Sequence, residues 1–415
     1  MKAPPPVTPT IAPIDLADDA SFKDGFPQAY FTWLRQNDPV HWSPPTPTSP
    51  DGEGFWVISR YEDIMYILRT PGIFSSNTGG DRTGGGTTMK DERAAGKILN
   101  YTDDPHHRVL RGLVNKGFTN QIIGQLEDEL RRRANLLIDA FPVGPVFDFV
   151  PAFSRELPAQ AICIVLGVPQ EDRTQLIEWI DKGIAGDSQN VMAREYYLKI
   201  RDYAKGIIAD KRRNPGDDIL TKVVQARLDD EDGRALTDEE LVNFFVLLFP
   251  AGAETTRGAI GGGMRTLIEH PNQLQQLRDD PALVKSAVEE FVRWMTPSIY
   301  KRRTVTEDTE LGSKTLKRGD KVTIWEMSAN RDSAMFDNPF DFDISRRPNR
   351  HIGFGFGAHV CLGAALARLE IKIAIEELVR RIDHFELAGG AEYVPNNRLL
   401  GLRHLNLSVT MKETT

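Results

Sequence analysis

Apolar residues recur with a helical period through most of the middle of this 415-residue chain. Leu126 to Ile138 places apolar groups three and four residues apart, and Tyr196 to Lys211 does the same. Gly167-Val-Pro169 and the turn Asn214-Pro-Gly-Asp217 interrupt the pattern, as Pro271, Pro281 and Pro297 do further on. Thr119 and Asn120 offer N-cap oxygens, and Thr237-Asp-Glu-Glu240 has the form of a capping box before an apolar run. Helices are therefore predicted across 100–300, and again across 362–382, where Leu362, Leu366, Leu369 and Ile373 form one stripe.

Strand character is confined to three stretches, 35–75, 300–330 and 385–411. Pro39-Val-His-Trp and Gly54-Phe-Trp-Val-Ile-Ser read as strands around the turn signal Asp51-Gly52, flanked by short helices over 30–35 and 61–68. Val305 to Gly319 carries turns and short strands, with Leu316-Lys-Arg-Gly-Asp-Lys-Val322 as a hairpin turn. Phe336 to Asn349 has no periodicity and needs a partner to hold it, whereas Leu402 to Met411 alternates like one strand. Residues 75–98, rich in Gly and Thr, read as a long loop of the kind that forms lids. The Pro-rich start implies an extended arm over 1–25, followed by one mainly α domain over 26–415.

Composition narrows the function classes. At 40% hydrophobic residues the chain can bury a substantial core. Its net charge of −8 argues against a general nucleic-acid binder. No stretch of 18 apolar residues occurs, so no membrane span is expected. The Met1-Lys-Ala-Pro-Pro-Pro start lacks the apolar core of a signal peptide, and a cytoplasmic location is expected. Two cysteines make no disulfide framework. Cys163 lies in the apolar run 161–166 and reads as core.

Cys361 is different. It stands in Phe354-Gly-Phe-Gly357-Ala-His359-Val-Cys361-Leu-Gly363, at the start of the last long helix. A helix N-terminus favours a negative sulfur, and the glycines let the backbone turn and a flat ligand approach. On these grounds a haem thiolate, a nucleophile beside His359 and a structural role stand level. His351, His359 and Cys361 could supply zinc ligands in principle, but their spacing is not the usual one for structural zinc. Glu290-x-x-Arg293 shares a helical face. Ala251-Gly-Ala-Glu254-Thr255-Thr256 ends the apolar run 244–249 with an acid that is costly unless paired or used.

Phe354-x-x-Gly357-x-x-x-Cys361-x-Gly363 resembles the haem-binding signature of the cytochrome P450 superfamily. Three further patterns of that family precede it in order: His107-x-x-x-Arg111, the Glu254-Thr255 segment and Glu290-x-x-Arg293. The likeness runs from about 26 to 411 and is strongest over 240–370. It implies a large helical domain enclosing haem b (iron protoporphyrin IX), with smaller β regions. It makes Cys361 the iron ligand and puts His107, Arg111, Arg303 and His359 on the haem propionates, with His106 and Arg302 as near neighbours. It assigns Glu254 and Thr255 to proton delivery during O2 cleavage. The Glu290–Arg293 pair would hold the irregular segment through 340–347. Pro250 departs from the commonest family pattern, and the resemblance leaves open whether it enlarges or fixes the oxygen groove.

The implied activity is a monooxygenase, hydroxylating a lipophilic substrate with O2. No flavin or iron–sulfur domain is fused, so electrons would come from NAD(P)H through a ferredoxin reductase and a ferredoxin docking on the cysteine side. A haem-containing binding or sensing protein and a peroxide-driven peroxygenase are the alternatives, against which the Glu254-Thr255 pair counts. Leu247, Ala251, Glu254, Ile299, Leu399 and Leu400 would line the pocket, roofed by 75–98. A weaker likeness at Phe55-Trp56, Leu99-Asn100 and 115–119 favours a sterol, terpenoid or fatty-acyl substrate.

Overall fold

The helical period becomes a bundle of helices in the computed structural model, which describes residues 11–79, 82–92, 94–115, 117–142, 144–185, 191–228 and 233–413. Its axis is the helix Asp238–Glu269, 32 residues and so about 48 Å long. The predicted capping box starts it, with Thr237 and Glu240 exchanging side-chain-to-backbone bonds. The helix continues through Pro250 without a break. Glycines on this helix exist for close approach. A Cβ on Gly263 would lie 2.1 Å from the Phe291 ring, and one on Gly262 would lie 2.0 Å from Met295. The helix Val284–Met295 therefore seats directly on its backbone. On another face Glu156–Leu166 packs at Gly252, and Cys163 is sealed in the core, its thiol pushed up to about 12 by burial.

The main sheet has five strands, in the order Val40–Ser43, Phe55–Ile58, Lys321–Ile324, Lys301–Val305, Phe74–Ser75. Phe55–Ile58 runs parallel to Lys321–Ile324, and the other pairings are antiparallel. The turn foreseen at 316–322 exists, with Asp320 N–H donating to Lys317 O, but it closes no hairpin. Lys314–Leu316 pairs back onto Thr309–Leu311, while Lys321–Ile324 enters the main sheet. The alternating tail is two strands, Leu402–His404 and Asn406–Met411, paired in different sheets.

Two segments are more fixed than their composition suggests. Residues 1–10 of the arm lie outside the described residues. In the remainder, Asp19–Phe22 forms a short 3-10 helix, and Leu16 and Phe22 are buried, the phenyl ring stacked on Trp325. The loop at 75–98 is bolted to the sheet where it is described. Arg82 bridges Glu53 and Asp91, Asp91 pairs with the buried Arg302 at 2.6 Å, and Met89 N–H donates to Tyr300 Oη. Among the described residues no helix is long and apolar enough to cross a membrane.

Candidate functional site

The irregular segment before Cys361 is held by one buried pair. Arg293 grips Glu290 with two bonds of 2.6 and 2.7 Å, and both side chains are wholly buried. The rest of the guanidinium donates to the carbonyls of Asn330, Pro339 and Asp341. Glu290 in turn accepts from Asp343 N–H and Asn349 and pairs with Arg346 at 3.3 Å. Arg347 takes no part among these contacts and lines a surface groove with Lys285.

Beyond this clamp the chain turns through Gly355 and Gly357, both with φ near +70° (72° and 73°), a conformation only glycine adopts without strain. Cys361 N–H donates to Phe354 O at 2.8 Å, which closes the turn. The following helix is Ala364–Arg381 with Gly363 as N-cap, so Cys361 stands directly before it. Burial pushes its thiol up, while the Gly363 N–H, Lys301 and Arg111 pull the other way. Cys361 is nevertheless exposed, unlike Cys163, as are Phe356 and Val360 beside it. Cys361 is thus surrounded by protein without being part of the packed core.

Four basic residues named from the sequence meet beside this turn. His107 and His359 lie ring to ring, 4.1 Å between centroids. Arg111, one helical turn after His107, donates to Val360 O at 2.6 Å. Arg303 is buried, with one bond to Arg302 O. Burial, with Arg303, His107 and Arg111 nearby, drives His359 down to about 2, and burial with Arg111 lowers His107, so both rings are neutral at neutral pH. The near neighbours separate cleanly. Strand alternation sends Arg302 to the opposite face and Asp91, and His107 rather than His106 is the buried imidazole.

Among the described residues neither Arg111 nor Arg303 has a carboxylate at ion-pair distance. His107 Nδ1 faces Asp104 at 3.6 Å, while its buried Nε2 has no hydrogen-bond partner among the described residues. A buried cation such as Arg303 and a buried, unpartnered ring nitrogen are costly unless an anion or acceptor joins them. With the exposed Cys361 alongside, the set fits a planar, anionic iron cofactor such as haem.

Glu254 and Thr255 follow each other on the long helix and point apart. Thr255 Oγ1 donates to Ala251 O at 2.9 Å. Glu254 instead faces Arg257 at 3.3 Å, and Arg257 also reaches Asp181 at 2.6 Å. Burial holds the Glu254 carboxyl above the ordinary carboxylate range, Arg257 opposes this, and Asp181 adds to it. Glu254 borders a cavity of about 330 Å³ with Arg155, Asp181, Leu399 and Leu400. The surface lining this cavity is mostly apolar, with charged side chains among the residues that border it. Ile299, expected there, is fully buried in the core.

The family model for cytochrome P450 matches residues 176–410. The chain is 47% identical over 401 residues to cytochrome P450 126 of Mycobacterium tuberculosis, covering 94% of this chain and 96% of that protein. The chain belongs to the cytochrome P450 family. A methyl-branched lipid omega-hydroxylase of the same organism is 37% identical over 395 residues, covering 91% and 90%. A Mycobacterium marinum cytochrome P450 in complex with pseudoionone superposes with a TM-score of 0.86 at 31% identity, covering 96% of this chain and all of that one. As a cytochrome P450 this is an oxidoreductase of the haem monooxygenase class with the family's largely helical fold. The family uses haem and an external electron supply.

Sequence reasoning missed Arg257 and Asp181. Arg257 was within reach as the i+3 neighbour of Glu254, but Asp181 comes from another helix and carries no local signal. The roof network of Arg82, Asp91 and Arg302 was also missed, because its partners are far apart in sequence.

Proposed function

We propose that this P450 hydroxylates a lipophilic substrate of sterol, terpenoid or fatty-acyl type, using O2 and two electrons from NAD(P)H through a ferredoxin system. The observation that carries the reading is the exposed Cys361 beside Arg111 and Arg303, neither of which has a carboxylate at ion-pair distance among the described residues, and beside the unpartnered His107 Nε2. Cys361 is the iron ligand of haem b. His107, Arg111, Arg303 and His359 hold its propionates, the two arginines by charge and the two neutral imidazoles as hydrogen-bond donors. When bound, the haem supplies O2 activation and the oxidation of a C–H bond, with the thiolate favouring O–O cleavage.

The chain's own residues bind, orient and move protons. Glu254, kept above the ordinary carboxylate range by burial, holds a proton more readily than a surface acid and so can give and regain one. Arg257 and Asp181 hold its carboxyl against the cavity, from which a proton is replaced. Thr255 turns its hydroxyl from Ala251 O to take part in the relay. Leu399 and Leu400 orient an apolar substrate, in keeping with relatives named for a methyl-branched lipid and solved with pseudoionone. The ferredoxin docks on the Cys361 side.

The test is reconstitution with ferredoxin, its reductase and NAD(P)H against a panel of branched fatty acids, sterols and linear terpenoids. The expected result is a substrate-dependent spectral shift and a hydroxylated product from at least one class. A panel that binds with no product, or product formed only with peroxide, contradicts the proposal.

A further inference from the structure

One charged pair beside the site has no part in the roles above. Lys301 begins the strand Lys301–Val305, two residues before Arg303, so alternation turns both side chains to one face. Lys301 Nζ pairs with Glu326, which is fully buried, while a quarter (25%) of the lysine side chain stays accessible. The other carboxylate oxygen, Glu326 Oε1, is buried without a hydrogen-bond partner. An acid so placed is costly unless its charge is used.

What it faces is the turn that carries Cys361. A point at the Cβ position of Gly355 lies 3.7 Å from Glu326 Oε1, 3.6 Å from His359 O and 4.0 Å from Val360 Cα. The pair therefore abuts the segment that ends in the sulfur.

We propose that Lys301 and Glu326 are a positioning pair that sets the charge at the Cys361 loop, and with it the reduction potential of the bound haem iron. The inference rests on Cys361 being the iron ligand. The step is the uptake of one electron by ferric iron from an external donor, giving ferrous iron, with no bond made or broken. Lys301, through its pairing with Glu326 against the Gly355 turn, places positive charge beside the Cys361 loop and favours the added electron. Glu326 anchors the lysine and moderates that charge.

The experiment is spectroelectrochemical titration of the haem-loaded native protein, Lys301→Met, Lys301→Arg and Glu326→Gln, each with a carbon monoxide spectrum of the reduced form. Lys301→Met is expected to lower the midpoint and Glu326→Gln to raise it. Each change should be at least threefold in the reduction equilibrium, about 30 mV for a one-electron couple. Lys301→Arg should keep the native value. Shifts of the same sign in Lys301→Met and Glu326→Gln, or no shift with a thiolate-type carbonyl spectrum, overturn the inference. Loss of that spectrum in Lys301→Met but not in Lys301→Arg supports a charge role, and loss in both overturns it. A native protein with no thiolate-type spectrum fails the ligand assignment instead.

Discussion

Replacing Arg293 with methionine tests how the Cys361 segment is held. The guanidinium makes two bonds to Glu290 and one each to the carbonyls of Asn330, Pro339 and Asp341, all in a site with 0% side-chain exposure. Methionine fills much of the volume and supplies no donor. Breaking a buried ion pair from one side costs about 3–5 kcal/mol, and a stranded buried carbonyl costs about 1–3 kcal/mol. Glu290 keeps Arg346, Asn349 and the Asp343 N–H, which softens the first cost, and the carbonyls relax in part. The expected loss is therefore about 5 kcal/mol, a large share of the roughly 5–15 kcal/mol that holds a domain folded. Arg293→Lys keeps the charge but loses the fork, and should lie between the native protein and Arg293→Met. Urea unfolding followed by circular dichroism gives the loss, and absorbance gives haem retention. Arg293→Met with near-native stability and full haem retention would refute the clamp.

Three further outcomes follow from the structure. Thr255→Ala should divert NAD(P)H electrons into peroxide and lower product per NAD(P)H, and unchanged coupling would remove Thr255 from the relay. Glu370, buried with Oε2 unpartnered, has its carboxyl held well above 4.5 by burial. The folded state therefore keeps a proton the unfolded chain releases. The group's contribution is whole below about pH 4 and is lost as pH rises toward the folded value. The stability of the native protein relative to Glu370→Gln should accordingly fall as pH rises above about 4, and a pH-independent difference would contradict this. In haem-free folded protein a thiol reagent should label Cys361, which is accessible, and spare Cys163, whose thiol sits at about 12 in the core. Labelling of Cys163 by mass spectrometry would show that the packing is wrong.

Features set by local spacing were legible in the sequence. The glycines around Cys361, the capping box at Thr237 and the i, i+3 relation of Glu290 and Arg293 all appear where the chain implied. What escaped depends on contacts between distant segments. The three carbonyls under Arg293 belong to backbone whose course no side-chain pattern encodes. The turn at 317–320 was visible, but its strands choose different partners because Lys321–Ile324 is buried throughout and suits the main sheet. The tail did carry a signal. Apolar residues fall at 402, 405, 407 and 409, and the step of three marks the break at Leu405 between two strands. Glu254 and Thr255 read as a unit in sequence, yet successive helical residues diverge by about 100°. Their partners are accordingly different, Arg257 for one and Ala251 O for the other.

The central claim is that Cys361 is the haem-iron ligand, and carbon monoxide binding tests it most directly. The haem-loaded protein, reduced with dithionite, should show the far-shifted Soret band of a thiolate-ligated carbonyl, and Cys361→Ala should lose it. A histidine-type carbonyl spectrum from fully folded native protein, or an unchanged band in Cys361→Ala, would contradict the account.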